Sequence, residues 1–108
     1  MWMKLGLLTV LFGTAMGTVA FAGDKVVIGY AAPSLDGAQA QIQAGFLAGA
    51  KARGWEVVSV TSGGDAQKQL NDINDFIAQG VKAIVAVPDD SAGICVAVAA
   101  AKEAGIPF

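Results

Sequence analysis

The chain has 108 residues, 55% of them hydrophobic and 15% charged, a globular composition that excludes disorder arising from low hydrophobicity and high charge. Seven basic residues against nine acidic ones leave a formal net charge of −2, which argues against non-specific binding to nucleic acid or anionic lipid. There is no histidine and one cysteine, Cys95, so Ser-His-Asp and Cys-His catalysis, His-liganded zinc and an internal disulfide are excluded.

Residues 1–22 carry Lys4 and no acid, an apolar stretch from Leu5, and Ala20 with Ala22 in the spacing of an A-x-A cleavage signal. These are the three parts of a secretory signal peptide, and cleavage after Ala22 is expected. An uncleaved membrane anchor is the competing reading, because Leu5 to Ala22 is uncharged and approaches the ~20 residues that span a bilayer. Gly6, Thr9, Gly13, Thr14, Gly17 and Thr18 dilute that stretch, and no basic cluster follows it. The cysteine lies far downstream, so the junction offers no lipid attachment. The expected product, residues 23–108, is exported and not inserted in the membrane.

Three apolar runs then read as strands: Val26 to Tyr30, Val57 to Val60, and Ala83 to Val87. The first and third are continuously apolar, as a parallel strand covered on both faces requires. Between the first two, Ile42, Phe46 and Gly49-Ala50 recur at helical spacing, with Lys51 and Arg53 at the expected negative end and Gly54 as the stop. Before the third strand, Ala66, Leu70, Ile73 and Ile77 form one stripe, with Asp65 as N-cap and Gly80 as stop. A third helix is expected from a cap at Asp90 or Ser91, with Ile94, Val98 and Ala101 as its stripe and Gly105 as its end. Its Ala/Val-rich surround suggests burial on more than one side. Ile106-Pro107-Phe108 reads as the start of a fourth strand, so an incomplete protein is expected. Strand and helix alternate throughout, which implies right-handed crossovers and an open parallel α/β sheet flanked by helices, a flavodoxin-like lobe.

In such sheets ligands bind outside the carboxyl ends of the strands, at the switch in strand order. Two segments meet that description: Ala31 to Gln39, offering Ser34, Asp36, Gln39 and Gln41, and Pro88 to Ser91, offering Asp89, Asp90 and Ser91. Carboxylates and amides there suit hydroxyl groups as ligands. Asp36 reads equally as a helix cap or a ligand contact, and Asp90 and Ser91 read as caps. Asp89 is less easily explained by capping, and a solvated loop acid is its alternative reading. Gln39 and Gln41 also fit solvated first-turn positions. Phe46 and Phe76 are expected in the core, Trp55 at the bottom of the sheet, and Cys95 as a small buried residue. The first strand runs into Tyr30-Ala31-Ala32-Pro33, so there is no GxGxxG fingerprint; GxxxxGK[ST] and GxSxG are also missing from the chain, and no cofactor is expected.

With these residues in view, a secretory signal, KVVIGYAAPSLDG, ARGWEVVSV, SGGDAQKQLNDINDFIAQGVKAIVAVPDD and AAAKEAGIPF together resemble the amino-terminal end of a type I periplasmic solute-binding protein of the ribose-, galactose- and xylose-binding kind. Its most specific parts are the Asp65/Gln69 helix running into Ile77 to Ile84, and Ala104-Gly105-Ile106-Pro107. Repressors of the lactose-repressor type share the domain, but carry a DNA-binding helix-turn-helix where this chain has an export signal. The resemblance implies that residues 23–108 are part of the first of two lobes, closing on a sugar or similar small polar ligand in the periplasm. It also implies delivery to an inner-membrane ABC permease or a chemoreceptor. The family's ligand-facing loop commonly has Asn, Pro and an aromatic pair; those places fall here on Asp36, Gly37, Ala38 and Gln39. The polar residue that often ends the third strand is Val87. Ser34, Asp36, Gln39 and Asp89 are the implied ligand positions. A sensor role on the same fold is the alternative to import. A secreted enzyme of flavodoxin-like architecture is disfavoured by the missing His, nucleotide loop and nucleophile elbow.

Overall fold

The computed structural model describes residues 25–108. The signal peptide and its cleavage point lie outside the described residues. Six elements alternate: β1 (Val27–Ala32), α1 (Gly37–Ala52), β2 (Glu56–Thr61), α2 (Ala66–Gln79), β3 (Ala83–Ala86) and α3 (Ile94–Glu103). The sheet is wholly parallel in the order β2-β1-β3, with Tyr30 opposite Ser59 on one side and Val85 on the other. β1 is therefore central, and all but its first residue are buried.

Helix α2 forms because its ends and its face agree. Asp65 takes the N–H groups of Gln67 and Lys68 at 3.0 Å each, and Gly80 ends the helix at φ 71°, a left-handed conformation that favours glycine. The face it buries carries Gln69, Ile73 and Phe76. Ile73 and Phe76 join Ala31, Val81, Ile84, Ala97 and Ala101 in the main core, so α2 and α3 share one face of the sheet. Close packing there depends on Gly29 in β1. A Cβ on Gly29 would fall 2.5 to 2.8 Å from three atoms of the Phe76 ring.

Helix α1 covers the opposite face. Tyr30 points to it and lies with its ring centroid 5.4 Å from that of Phe46. The inward positions of α1 are Gln39, Gln43, Phe46 and Ala50, not the expected stripe through Ile42, which is 56% exposed. Gln43 donates to the Ser59 hydroxyl of β2 at 2.8 Å, so hydrogen bonding takes the place of apolar contact at that position.

Four packing expectations are corrected. Phe46 is half-buried, not fully in the core. Trp55 is exposed beyond the end of α1, where the Arg53 guanidinium stacks 5.5 Å from its ring centroid. In α3 the buried residues are Ala97 and Ala101, which leaves Val98 exposed and Val96 67% exposed, so the helix is buried on one side. Cys95 lies two residues, about 200° around the helix, from Ala97 and is exposed. After α3, Ile106 to Phe108 runs beside β3, and the Ile84 N–H donates to Pro107 O at 2.9 Å, the first rung of the expected further strand.

Candidate functional site

From β1 the chain passes to β2 on one side, and later to β3 on the other. The strand order thus reverses at β1, and the loops leaving the carboxyl ends of β1 and β3 diverge to opposite faces of the sheet. A crevice at that place is where open α/β sheets hold ligands. The β1–α1 loop is Pro33 to Asp36, and the β3–α3 segment is Val87 to Gly93.

In the first loop, Ser34 donates its hydroxyl to Asp36 Oδ1 at 2.8 Å. Asp36 is the N-cap residue of α1 by backbone position, yet its side chain makes no capping bond. The Asp36 carboxylate therefore does not cap α1 and is engaged by Ser34 instead. Gln39 stands on the first turn of α1 and is half-buried, which removes the fully solvated reading. Its Oε1 is buried with no protein hydrogen-bond partner, as is the Tyr30 hydroxyl.

In the second segment Asp90 behaves as a cap, accepting from Gly93 N at 2.6 Å, while α3 proper starts at Ile94. Asp89 is held differently. Its backbone N–H donates to Gln69 Oε1 at 2.9 Å, and its carboxylate Oδ2 accepts a hydrogen bond from the Ser62 hydroxyl. Ser62 ties the loops together, because its backbone N–H also donates to Ala32 O at 3.1 Å at the end of β1. Next to it, Gly63 N donates to Pro33 O at 2.9 Å. The structure therefore brings Ser34 and Asp36 into direct contact and leaves Asp89 in a separate cluster with Ser62 and Gln69. Both clusters sit on loops from adjacent strands.

Gln69 and Ser62 were not legible as site residues. Gln69 bonds to backbone groups 18 and 20 residues away, and Ser62 reaches a side chain 27 residues away. No local spacing encodes such contacts. The only sequence signal is a glutamine on the buried face of α2, where an apolar residue would otherwise fit. Chemically, the two loops carry the Asp36 and Asp89 carboxylates and the Ser34 hydroxyl, and the first turn of α1 adds the half-buried Gln39 amide, groups suited to ligands rich in hydroxyl groups. Among the described residues no group of three or more His, Cys, Asp or Glu side chains is arranged to hold a metal ion, and no helix is long and apolar enough to cross a membrane.

Residues 28–108 match the family model described as a periplasmic binding protein domain. The chain is similar to the D-apiose import binding protein of Paraburkholderia graminis, with 36% identity over 107 residues, covering 98% of this chain and 33% of that protein. It is also similar to the ribose import binding protein of Bacillus subtilis, 43% identical over 58 residues, or 54% of this chain and 19% of that one. Among solved structures, an ABC transporter solute-binding protein from Mycobacterium smegmatis with bound glycerol superposes with a TM-score of 0.69 at 31% identity, covering 76% of this chain and 29% of the other. The chain spans at most about a third of the length of the curated relatives it matches. Parallel sheet, strand order and family match agree, and the chain belongs to the periplasmic binding protein domain family.

Proposed function

We propose that residues 23–108 form part of the first lobe of an exported two-lobe receptor that captures a simple sugar or similar small polyol for an ABC importer. The observation that carries this reading is the pair of polar loops at the switch point, in a chain whose curated relatives are named as import binding proteins for ribose and D-apiose. Those names favour import over a sensor role. Ser34, Asp36, Gln39 and Asp89 are the proposed contacts. Asp36 and Asp89 accept hydroxyl protons in charge-assisted hydrogen bonds, and the Gln39 amide supplies a planar donor and acceptor. Capture without turnover is supported by the curated relatives, which are named as import binding proteins. A second lobe closes on the occupied site because the ligand binds the closed state more tightly than the open one. Cleavage between Ala22 and Gly23, and release into the periplasm, belong to the same proposal.

The test is calorimetric titration of the full-length gene product with D-ribose, D-apiose, myo-inositol and glycerol, followed by analysis of the recovered sugar. Saturable binding of at least one sugar, recovered unchanged, is expected. No binding across the panel, or conversion of the sugar, contradicts the reading. Amino-terminal sequencing of the periplasmic product is expected to begin at Gly23, and a membrane-embedded product still starting at Met1 rejects the export step.

A further inference from the structure

At the end of β3 the sheet ladder meets a proline. Val87 still donates its N–H to Ala31 O at 2.9 Å, but Pro88 has no N–H to offer, and the Val87 carbonyl and Asp89 N–H on either side of it need partners from elsewhere. Gln69 supplies both. Its Nε2 donates to Val87 O at 2.8 Å and its Oε1 accepts from Asp89 N at 2.9 Å. A primary amide carries the same donor and acceptor as a peptide group, so this side chain stands in for a neighbouring strand across the proline. The side chain comes from the first turn of α2, whose Gln69 N–H is itself bonded to Asp65 O at 3.0 Å. At 2% exposure Gln69 has no water to fall back on, so the two bonds are obligatory.

A glutamine that only solved a burial problem would bond to its own helix. This one spends both bonds on the loop that carries Asp89. Ser62, also buried, fixes the other end of the same residue by bonding Oδ2, which leaves Oδ1 to accept a further hydrogen bond. Asp89 is thus held by its backbone from α2 and by its carboxylate from the β2–α2 loop.

We propose that Gln69 is a positioning residue for ligand binding, with Ser62 as its second anchor: the two preorganise Asp89 so that its carboxylate meets the sugar without ordering the loop on binding. The inference rests on the proposed role of Asp89 as a ligand contact. Preorganisation raises affinity by removing an ordering cost that binding would otherwise carry. Gln69→Met keeps volume and helix propensity while deleting both loop bonds. Gln69→Glu keeps the acceptor for the Asp89 N–H and deletes the donor to Val87. Ser62→Ala deletes the carboxylate anchor alone.

The experiment is titration of the full-length gene product and its Q69M, Q69E and S62A variants with D-ribose and D-apiose, alongside amide hydrogen exchange read at Asp89 and along α2. Q69M is expected to weaken sugar binding about tenfold or more, as one to two lost hydrogen bonds imply, and to speed exchange at the Asp89 amide by a similar factor while the second half of α2 stays protected. Q69E is expected to recover protection at Asp89, a rescue that a purely space-filling role would not give. S62A is expected to weaken binding several-fold with α2 protection unchanged. Should Q69M fail to fold, S62A and Q69E carry the test. Wild-type affinity in Q69M and S62A, or unchanged exchange at Asp89, overturns the proposal. Failure of the unmodified protein to bind either sugar is a separate result: it counts against the sugar reading, and unchanged Asp89 exchange in Q69M would then overturn the positioning role on its own.

Discussion

On one face of the sheet, α2 and α3 enclose Ile73, Phe76, Val81, Ile84, Ala97 and Ala101 in a buried apolar cluster. On the other, α1 covers Ile28 and Tyr30 with Gln39, Gln43, Phe46 and Ala50, and only Ala50 of α1 is fully buried. The first face is joined by apolar contact and one close approach, Phe76 on Gly29. The second is joined partly by hydrogen bonds such as Gln43 to Ser59, and it leaves Ile42, Leu47 and Trp55 exposed. Packing stability is therefore concentrated on the α2 and α3 face. Deleting apolar atoms on the α2 face creates a cavity in a close-packed region, whereas the α1 face already shares its side chains with water.

A pair of truncations followed in denaturant separates the two faces. Phe76→Ala is expected to cost about 3–5 kcal/mol, the range for a fully buried aromatic, and Phe46→Ala less than about 2 kcal/mol because its ring is already half in water. Equal losses would erase the distinction between the faces. Next in size, Gly29→Ala is expected to cost about 1–3 kcal/mol by overpacking against Phe76. Because the added methyl collides with that ring, the G29A/F76A double variant should lose less than the sum of the single variants, and strict additivity would show that the close approach does not govern packing. A smaller effect sharpens the picture at the helix end: Asp65→Ala removes the cap for two N–H groups and is expected to cost about 1 kcal/mol. The smallest is Ile42→Ser, expected within about 0.5 kcal/mol of zero in a thermal melt.

The same contrast explains what the amino-acid sequence discloses. α2 is legible at both ends, where Asp65 caps and Gly80 stops it, and its stripe through Leu70, Ile73 and Ile77 lies on or beside the buried face, whose fully buried positions are Gln69, Ile73 and Phe76. Strand identity and the parallel arrangement are equally legible in β-branched runs separated by helical spacing. The facing of α1 is not, since its inward positions are two glutamines, a phenylalanine and an alanine, and a hydrophobic stripe search selects Ile42 instead. In α3 the contrast between Ala and Val is too small to fix the rotation of the helix, which is why Val98 and Cys95 face outward while Ala97 faces in. The loops of the proposed site are legible from the fold rule, and Asp90 as a cap follows from local preference. The anchoring of Asp89 is not, because Ser62 and Gln69 reach it only after the sheet has brought three loops together.

We propose that the loops leaving β1 and β3 bind the ligand, with Asp89 among the contacts. Asp89→Ala in the full-length gene product, titrated with whichever sugar the unmodified protein binds and melted in denaturant beside it, tests this most directly. Loss of a carboxylate that accepts sugar hydroxyls is expected to cost roughly 1.5–3 kcal/mol of binding, about a ten- to hundredfold weaker affinity, which is more than the variant loses in folding stability. Unchanged affinity in D89A, or a loss of stability that accounts for the whole loss of binding, would contradict the claim.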